Sequence, residues 1–248
     1  MGNLKSLNII CTNAIVCIII LGCCIFLSCS KSDPEIPAYS LPGPVTGKTY
    51  SADEVTAFKQ LTIDPNSRII VKLRNNVSIY LVDTGYSYMT KELDSIIREI
   101  NQLLDTNLVI SRTTDRFSAT IKVYLTDRDT YISAEPYAAS ALQNSNYSGY
   151  FVYLGSPIGH ASAFVDMKRT DKDTLQQRYI IHHEIMHTLG FIGHVGLPQF
   201  YTVMFKYPLT PIITNYTLFD KRMMMLLYNP IIKSGMNEAA FNEAVKNL

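Results

Sequence analysis

Three residues of a His-Glu-x-x-His motif are the best candidates for chemistry: His183, Glu184 and His187. Residues four apart on an α-helix lie on one face, roughly 40° apart around the axis, so both imidazoles can point at one zinc ion. Glu184 lies about 100° from His183 and can hold a water molecule bound to that metal. An apolar stripe predicts that this helix packs into a core, and the stripe consists of Ile180, Ile181, Ile185 and Leu189.

The residues after the motif offer a third nitrogen ligand. Gly190 favours a helix end because glycine enters the left-handed conformation at little cost, and the turn that follows can return His194 to the metal. Three protein ligands leave one coordination position open, as in catalytic zinc sites. All five histidines lie between positions 160 and 194, which favours a metal site over scattered core histidines. His160 is the alternative third ligand, whereas His182 points about 100° away from His183 and is expected to pack or to support the ligands.

The extended motif is similar to the zinc-binding signature of the metzincin metallopeptidases. It reads His-Glu-x-x-His-x-x-Gly and ends at Gly190, and the segment Tyr201-Thr202-Val203-Met204-Phe205 resembles the methionine-containing turn (Met-turn) under the metal in that family. The resemblance implies Zn²⁺ as the cofactor, with the ligands His183, His187 and His194. It also implies that Glu184 is the general base acting on a zinc-bound water, and that Met204 is the methionine of the turn.

The signature departs from the family pattern at one position. That pattern places the third histidine three residues after the glycine, where this chain has Gly193, and His194 follows one residue later. A one-residue bulge after Gly190, made easy by Gly193, is expected to absorb the shift. The family can also carry a transition-state tyrosine two residues after the methionine. Lys206 occupies that position here, and the adjacent Tyr207 is the candidate.

Residues 1–29 predict a bacterial lipoprotein signal peptide. They carry one charge, Lys5, followed by an apolar stretch from Leu7 to Phe26 and then by Leu27-Ser28-Cys29. A basic start, an apolar stretch and a small residue before the cut are typical of a secretory signal. A cysteine at the cut resembles the lipoprotein signals in which that cysteine receives lipid. We therefore expect cleavage before Cys29 and an extracytoplasmic protein that is lipid-anchored to a bacterial membrane, at the outer membrane or cell surface of a Gram-negative cell.

Two alternatives stay open for this leader. The first is an uncleaved anchor, because about twenty apolar residues can span a bilayer. The second is cleavage before Cys23, although that cut would leave Ile25, Phe26 and Leu27 exposed. In each case the domain lies outside the cytoplasm and is held at a membrane.

Cysteine usage and charge exclude several kinds of site and partner. All five cysteines lie at or before Cys29, so the mature chain has no disulfide framework and no thiolate metal site, and His and carboxylate groups must hold any zinc. The chain has 22 basic and 21 acidic residues, and loss of Lys5 with the leader makes the two numbers equal. A chain with equal numbers of basic and acidic residues has no excess positive charge that would favour binding to nucleic acid. The expected partners are a protein or peptide substrate and the lipid anchor, and the expected state is a monomer.

The remaining chain predicts a tether and one domain. Residues 30–50 are rich in Pro and Gly and indicate an extended tether, and residues 51–248 suffice for a single metallopeptidase domain. Strand-like runs between helical patterns predict an α/β, metzincin-like fold, in which a mixed twisted sheet carries the zinc-binding helix and C-terminal helices follow. Arg68–Leu73 and Ser78–Val82 flank Asn75-Asn76, which predicts a hairpin.

One strand is expected to bind substrate. The resemblance implies that an edge strand of the sheet lies alongside the cleft and binds an extended substrate. Ala161–Met167 is the predicted edge strand because it directly precedes the metal helix. Pairing at a sheet edge uses main-chain groups and therefore suits a peptide.

Two functions are consistent with these patterns. The first is a membrane-tethered, extracytoplasmic zinc endopeptidase that hydrolyses peptide bonds with a zinc-bound water and Glu184 as general base. The alternative is a non-catalytic surface lipoprotein of metzincin-like fold that binds a peptide or glycan. Glu184 favours the enzyme, because a purely structural zinc site does not need a base beside it. The shifted His194 and Lys206 favour the alternative.

The anchor is testable by one substitution in the leader. Cys29→Ser removes the lipid acceptor and is expected to move the protein from the membrane fraction to the soluble fraction, measured by cell fractionation and immunoblotting. Cys23→Ser is the matched control and should leave the protein at the membrane. Membrane retention of Cys29→Ser with the leader still attached would contradict lipidation and support the uncleaved anchor.

Overall fold

The computed structural model describes residues 49–74, 76–83, 85–104, 107–196, 200–205, 212–246 and 248. Contacts divide the chain into residues 1–38 and 39–248, and all described residues belong to the second unit. The leader with Cys29, most of the tether and Tyr207 lie outside the described residues. No helix among the described residues is both long and apolar enough to cross a membrane.

Helices and strands alternate along the described part of the chain. The helices are α1 Ala52–Thr62, α2 Ser87–Leu104, α3 Arg128–Ala134, a 3₁₀ helix Pro136–Ala138, α4 Ala139–Leu142, α5 Thr174–Leu189, α6 Leu218–Leu227 and α7 Glu238–Val245. The strands are β1 Asn76–Asp83, β2 Val109–Arg112, β3 Ile121–Thr126, β4 Gly149–Leu154 and β5 His160–Asp166. They form one five-stranded sheet in the order β2-β1-β3-β5-β4, in which β4 alone runs antiparallel to its neighbour. The predicted α/β class with a mixed sheet is confirmed.

The sheet separates a main core from a smaller hydrophobic cluster, because successive side chains of a strand point to opposite faces. In β3, Ile121, Val123 and Leu125 join the main core, whereas Tyr124 joins the smaller cluster. Helices α2 and α5 pack on the main-core side, and the short helices between β3 and β4 cover the other face. The candidate metal helix α5 lies against β4 and β5.

The two long helices bury their residues differently. α2 is amphipathic, and its buried residues are Met89, Leu93, Ile96, Ile97, Ile100 and Leu104. α5 begins after the capping side chain of Asp173, which accepts a hydrogen bond from the Gln176 N–H, and every residue from Tyr179 to Leu189 is buried. More residues of α5 are buried than the four apolar residues of the stripe predicted from the sequence. The polar side chains of such a helix need partners inside the protein, because burying an unpaired polar group is unfavourable.

The predicted hairpin of Arg68–Leu73 with Ser78–Val82 is wrong. β1 instead pairs in parallel with β2 on one side and with β3 on the other. The segment before β1 makes isolated bridges, from Ile70 to Ile63 and from Leu73 to Ile158. With a parallel neighbour on each side, β1 has no free edge for a hairpin partner.

The predicted edge strand is also wrong. Ala161–Met167 corresponds closely to β5, which lies between β3 and β4 and is buried along nearly its whole length. The edge next to the metal helix is β4, which reaches β5 through a hairpin. Sequence order showed that β5 precedes α5, but lateral position in the sheet depends on pairing between residues distant in sequence.

Candidate metal centre

The three histidines predicted as ligands converge on one point. His183 and His187 lie one turn apart on α5, and their Nε2 atoms are 3.1 Å apart. The Nε2 atom of His194 lies 3.1 Å from that of His183, and the ligand atoms of all three residues lie within 4.8 Å of one another. Nitrogens held about 2.0–2.1 Å from a shared tetrahedral ion stand about 3.3 Å apart, so the spacing suits zinc.

The other ring nitrogens of the two helical histidines fix their tautomers. His183 Nδ1 donates a hydrogen bond to the carbonyl oxygen of Val203 over 2.6 Å. His187 Nδ1 donates to the carbonyl oxygen of Phe191. A carbonyl oxygen can only accept, so the proton of each neutral ring is on Nδ1 and each Nε2 carries a lone pair. Two lone pairs at 3.1 Å repel, and a cation between them removes that repulsion.

Burial keeps these rings in the form that binds metal. It lowers the pKa of His183 to about 4, and it lowers the pKa of His187 well below its usual value. Neutral imidazole is the metal-binding form, so neither ring has to lose a proton at neutral pH. His194 is exposed, which leaves the centre open to solvent on its side. The donor set of three imidazole nitrogens therefore fits a zinc ion with an open position.

The turn that returns His194 is held by close backbone contacts. Gly190 ends α5 with a φ of +116°, and a Cβ there would lie 2.3 Å from the Val71 carbonyl oxygen. The Gly193 N–H donates to the Leu61 carbonyl oxygen over 2.9 Å, and a Cβ on Gly193 would lie 2.0 Å from the Gln60 carbonyl oxygen. Both positions therefore require glycine. The turn therefore lies tightly against the end of α1 and against the segment around Val71.

The segment predicted as a Met-turn is buried and tied to the His194 loop. Met204 is fully buried, and its N–H donates to Thr202 Oγ1 over 3.0 Å. The Val195 N–H donates to the Met204 carbonyl oxygen over 3.0 Å. Since Val195 follows His194 and Val203 accepts from His183, this segment contacts both parts of the centre.

Glu184 is a buried carboxylate with no hydrogen-bond partner among the residues that the structure describes. A Cβ on Gly149 of β4 would lie 2.5 Å from Glu184 Oε1, so the carboxylate lies against the edge strand. No described residue donates a hydrogen bond to it, and burial raises its pKa well above the usual value. Other buried carboxylates all accept hydrogen bonds, namely Glu54, Asp64, Glu135, Asp166 and Asp220. The oxygens of Glu184 are therefore available to a ligand.

Residues 52–247 match the model of a family described as Protein of unknown function (DUF2927). The chain belongs to the DUF2927 family. A comparison with curated proteins gave no match. The family match covers every element described above, including the histidine cluster and Glu184.

Asp220 supports the centre of this DUF2927 domain and was not predicted from the sequence. It is fully buried on α6, and its carboxylate accepts hydrogen bonds from the Thr202 hydroxyl and from the Val203 N–H at 3.3 Å. The Val203 carbonyl in turn orients His183. The spacing of Thr217 and Asp220 indicates a capping box, which the structure contains, but that local pattern does not reveal a contact with residues 202 and 203.

Phe151 is a second neighbour that the sequence did not reveal. Its ring stacks on His187 with centroids 4.0 Å apart and an interplanar angle of 8°. Phe151 is two residues from Gly149 on β4, so both point toward α5. The edge strand β4 thus contacts the candidate ligand His187 and the carboxylate of Glu184.

The other two histidines lie outside the cluster. His160 Nε2 is 3.5 Å from Glu135 on the opposite face of the sheet, so the structure does not place His160 as the third ligand. His182 is buried, its Nε2 is 2.9 Å from Glu92 of α2, and its ring packs edge-on against Tyr216. His182 therefore joins α5 to α2, as the packing interpretation expected.

Removal of the returning histidine tests the three-nitrogen centre. His194→Ala should weaken zinc affinity by orders of magnitude and leave the fold largely intact, because His194 is exposed and two ligands hold zinc poorly. The measurements are zinc competition with a chromophoric chelator and circular dichroism. Unchanged zinc affinity in this variant would show that the third ligand is another residue.

Two glycines in one loop test how His194 is positioned. Gly193→Ala must move the turn away from Gln60, because the new Cβ would lie 2.0 Å from its carbonyl oxygen, and zinc affinity should fall at least about tenfold. Gly196→Ala is the matched control, since a Cβ there meets no atom within 4 Å. Chelator competition on both variants gives the comparison. Equal affinities would mean that the contact with α1 does not position the ligand.

Proposed function

We propose that this protein is a membrane-tethered, extracytoplasmic zinc-dependent endopeptidase of metzincin-like fold. One observation carries the proposal: the buried carboxylate of Glu184, which accepts no hydrogen bond from any described residue, lies one residue after His183 of the histidine cluster and against the backbone of an edge strand. A structural metal site needs closed ligands and no free base. The combination of an exposed ligand, an open side and an available carboxylate supports catalysis instead.

The proposed ligands of the zinc are His183, His187 and His194. Zinc held there would polarise a substrate carbonyl as a Lewis acid and lower the pKa of a water molecule. Glu184 Oε1 or Oε2 would accept the proton of the attacking water and deliver it to the amine that leaves. A zinc ion held by these histidines would favour the ionised form of Glu184 and so oppose the rise that burial causes in the pKa of Glu184.

The free edge of β4 supports a peptide as the substrate. The Ser148 carbonyl accepts from the Asp166 N–H, so alternate residues of β4 pair with β5 and the backbone groups of Gly149, Phe151 and Tyr153 point to the outer edge. No described residue hydrogen-bonds to these outward groups. An extended peptide could add to them as a further strand. Of these residues, Phe151 stacks on His187 and Gly149 lies against Glu184, so this peptide would pass beside Glu184.

The position of β4 and the segment around Met204 support the metzincin-like part of the proposal. The resemblance implied an edge strand beside the cleft, and β4, the edge strand next to α5, is the candidate for that role in place of β5. Met204 is buried in a segment that contacts the His194 loop and, through Val203, His183. Tyr207 stays a candidate transition-state residue.

The proposed location rests on the leader. Lipidation at Cys29 would hold the domain on the outer side of a bacterial membrane through the tether of residues 30–50. The balance of charges supports a protein or peptide partner over nucleic acid, and a monomer is the proposed state.

Glu184→Gln separates metal binding from catalysis. The variant keeps the size of the side chain but cannot accept a proton, so it should retain zinc and lose peptidase activity at least about a hundredfold. Zinc content by elemental mass spectrometry and cleavage of a mixed peptide library by mass spectrometry are the two measurements. Glu243→Gln, at an exposed ion pair on α7, is the matched control and should keep full activity.

The same assay distinguishes the alternative function. If the wild-type, zinc-loaded protein binds library peptides but cleaves none, the non-catalytic surface lipoprotein is supported. If Glu184→Gln cleaves as fast as the wild type, Glu184 is not the base.

A further inference from the structure

A separate cavity of about 580 Å³ lies among three segments that meet next to the start of β1. Its lining residues are Lys72, Leu73, Arg74, Asn76, Pro157 and Ser234. None of them belongs to the histidine cluster. A volume of this size falls in the range of small-molecule sites, about 300–1,000 Å³.

The charges that line this cavity are all positive. Lys72 and Arg74 contribute two cations and no carboxylate lines the cavity. Lys233 adds a third positive charge that acts on Lys72. No ion pair joins Lys72, Arg74 or Lys233 to an acidic side chain among the residues that the structure describes. The fold therefore concentrates positive charge here without neutralising it.

Lys72 is held in place by the protein. Its ammonium donates to the carbonyl oxygens of Leu227 at 2.8 Å and Ile232 at 2.6 Å, and it lies 5.3 Å from the centroid of the Tyr228 ring. Burial and the neighbouring Lys233 lower the pKa of Lys72 to about 8. A bound anion would favour the charged ammonium and oppose both effects.

The walls of the cavity are fixed by hydrogen bonds. The Ile158 N–H donates to the Lys72 carbonyl oxygen, and the Gly235 N–H donates to that of Ile70. The hydroxyls of Ser156 and Ser234 are 3.2 Å apart. The side-chain amide of Asn76 adds a neutral donor, whereas the Ser234 hydroxyl donates to the Ile70 carbonyl oxygen at 3.5 Å. A held ammonium beside an exposed guanidinium and a neutral amide donor is an arrangement suited to phosphate oxygens.

We infer that this cavity binds an anionic phosphate group carried by a small molecule or by a lipid headgroup. The guanidinium of Arg74 would contact two phosphate oxygens, and the ammonium groups of Lys72 and Lys233 would supply further charge. The site shares no residue with the proposed peptidase centre, so it adds a ligand to the protein and does not rest on catalysis.

Calorimetry on the full chain in a non-ionic detergent tests this inference, with inorganic phosphate as the first probe. We expect saturable binding that the double variant Arg74→Ala/Lys233→Ala weakens at least about tenfold, because two charge-assisted contacts are lost. Lys91→Ala/Arg98→Ala removes the same charge from exposed positions of α2 and should bind phosphate like the wild type. Lys72 is left intact because it also holds two carbonyl groups of the fold.

A second probe identifies the source of the phosphate group. Dihexanoyl phosphatidylglycerol below its micelle concentration presents a lipid headgroup in soluble form. Tighter binding of this lipid than of inorganic phosphate, lost in Arg74→Ala/Lys233→Ala, supports a headgroup site, and the reverse order supports a soluble phosphate compound. Absence of saturable binding to both probes, or equal loss in the Lys91→Ala/Arg98→Ala control, would overturn the inference.

Discussion

The candidate centre depends on two hydrogen bonds between a histidine ring and a backbone carbonyl. By holding the Nδ1 protons of His183 and His187, the carbonyls of Val203 and Phe191 direct two lone pairs at one point. Without a cation, the two lone pairs repel each other. The free energy of this repulsion is larger because α5 is buried and water cannot solvate the two nitrogens. The surrounding structure can be understood as the set of contacts that keeps those two carbonyls and His194 in place.

Those contacts come from elements distant in sequence. α1 and the segment around Val71 lie against Gly190 and Gly193, so the turn to His194 has little freedom. α6 reaches the opposite side through Asp220, whose carboxylate holds the segment that contains Val203. Metal sites in general have supporting groups of this kind, because a histidine ligand is only as well oriented as the group that accepts a hydrogen bond from its other ring nitrogen.

The sheet gives the candidate centre an open strand edge on one side. β4 is an antiparallel edge strand on a sheet whose other strands are parallel, and its Gly149 leaves room for Glu184. An open edge is normally a risk of aggregation, and natural proteins protect or use such edges. Here the outward backbone groups of β4 lie beside Glu184, the one buried carboxylate that accepts no hydrogen bond from the described residues. This proximity is the physical basis for proposing a peptide substrate. The cationic cavity around Arg74 is formed by other segments and can be occupied independently.

The sequence by itself determined the local features: the α/β class, the buried helix that carries His183 and His187 one turn apart, and the stop at Gly190. Such features depend on residues within a few turns of one another. It did not determine the edge strand or the partners of β1, and both predictions were wrong because lateral strand order is set by pairing across long sequence separations. Only the tertiary structure placed Asp220 behind Val203, Gly149 against Glu184 and His160 away from the cluster, since each depends on elements that meet only after the core has formed.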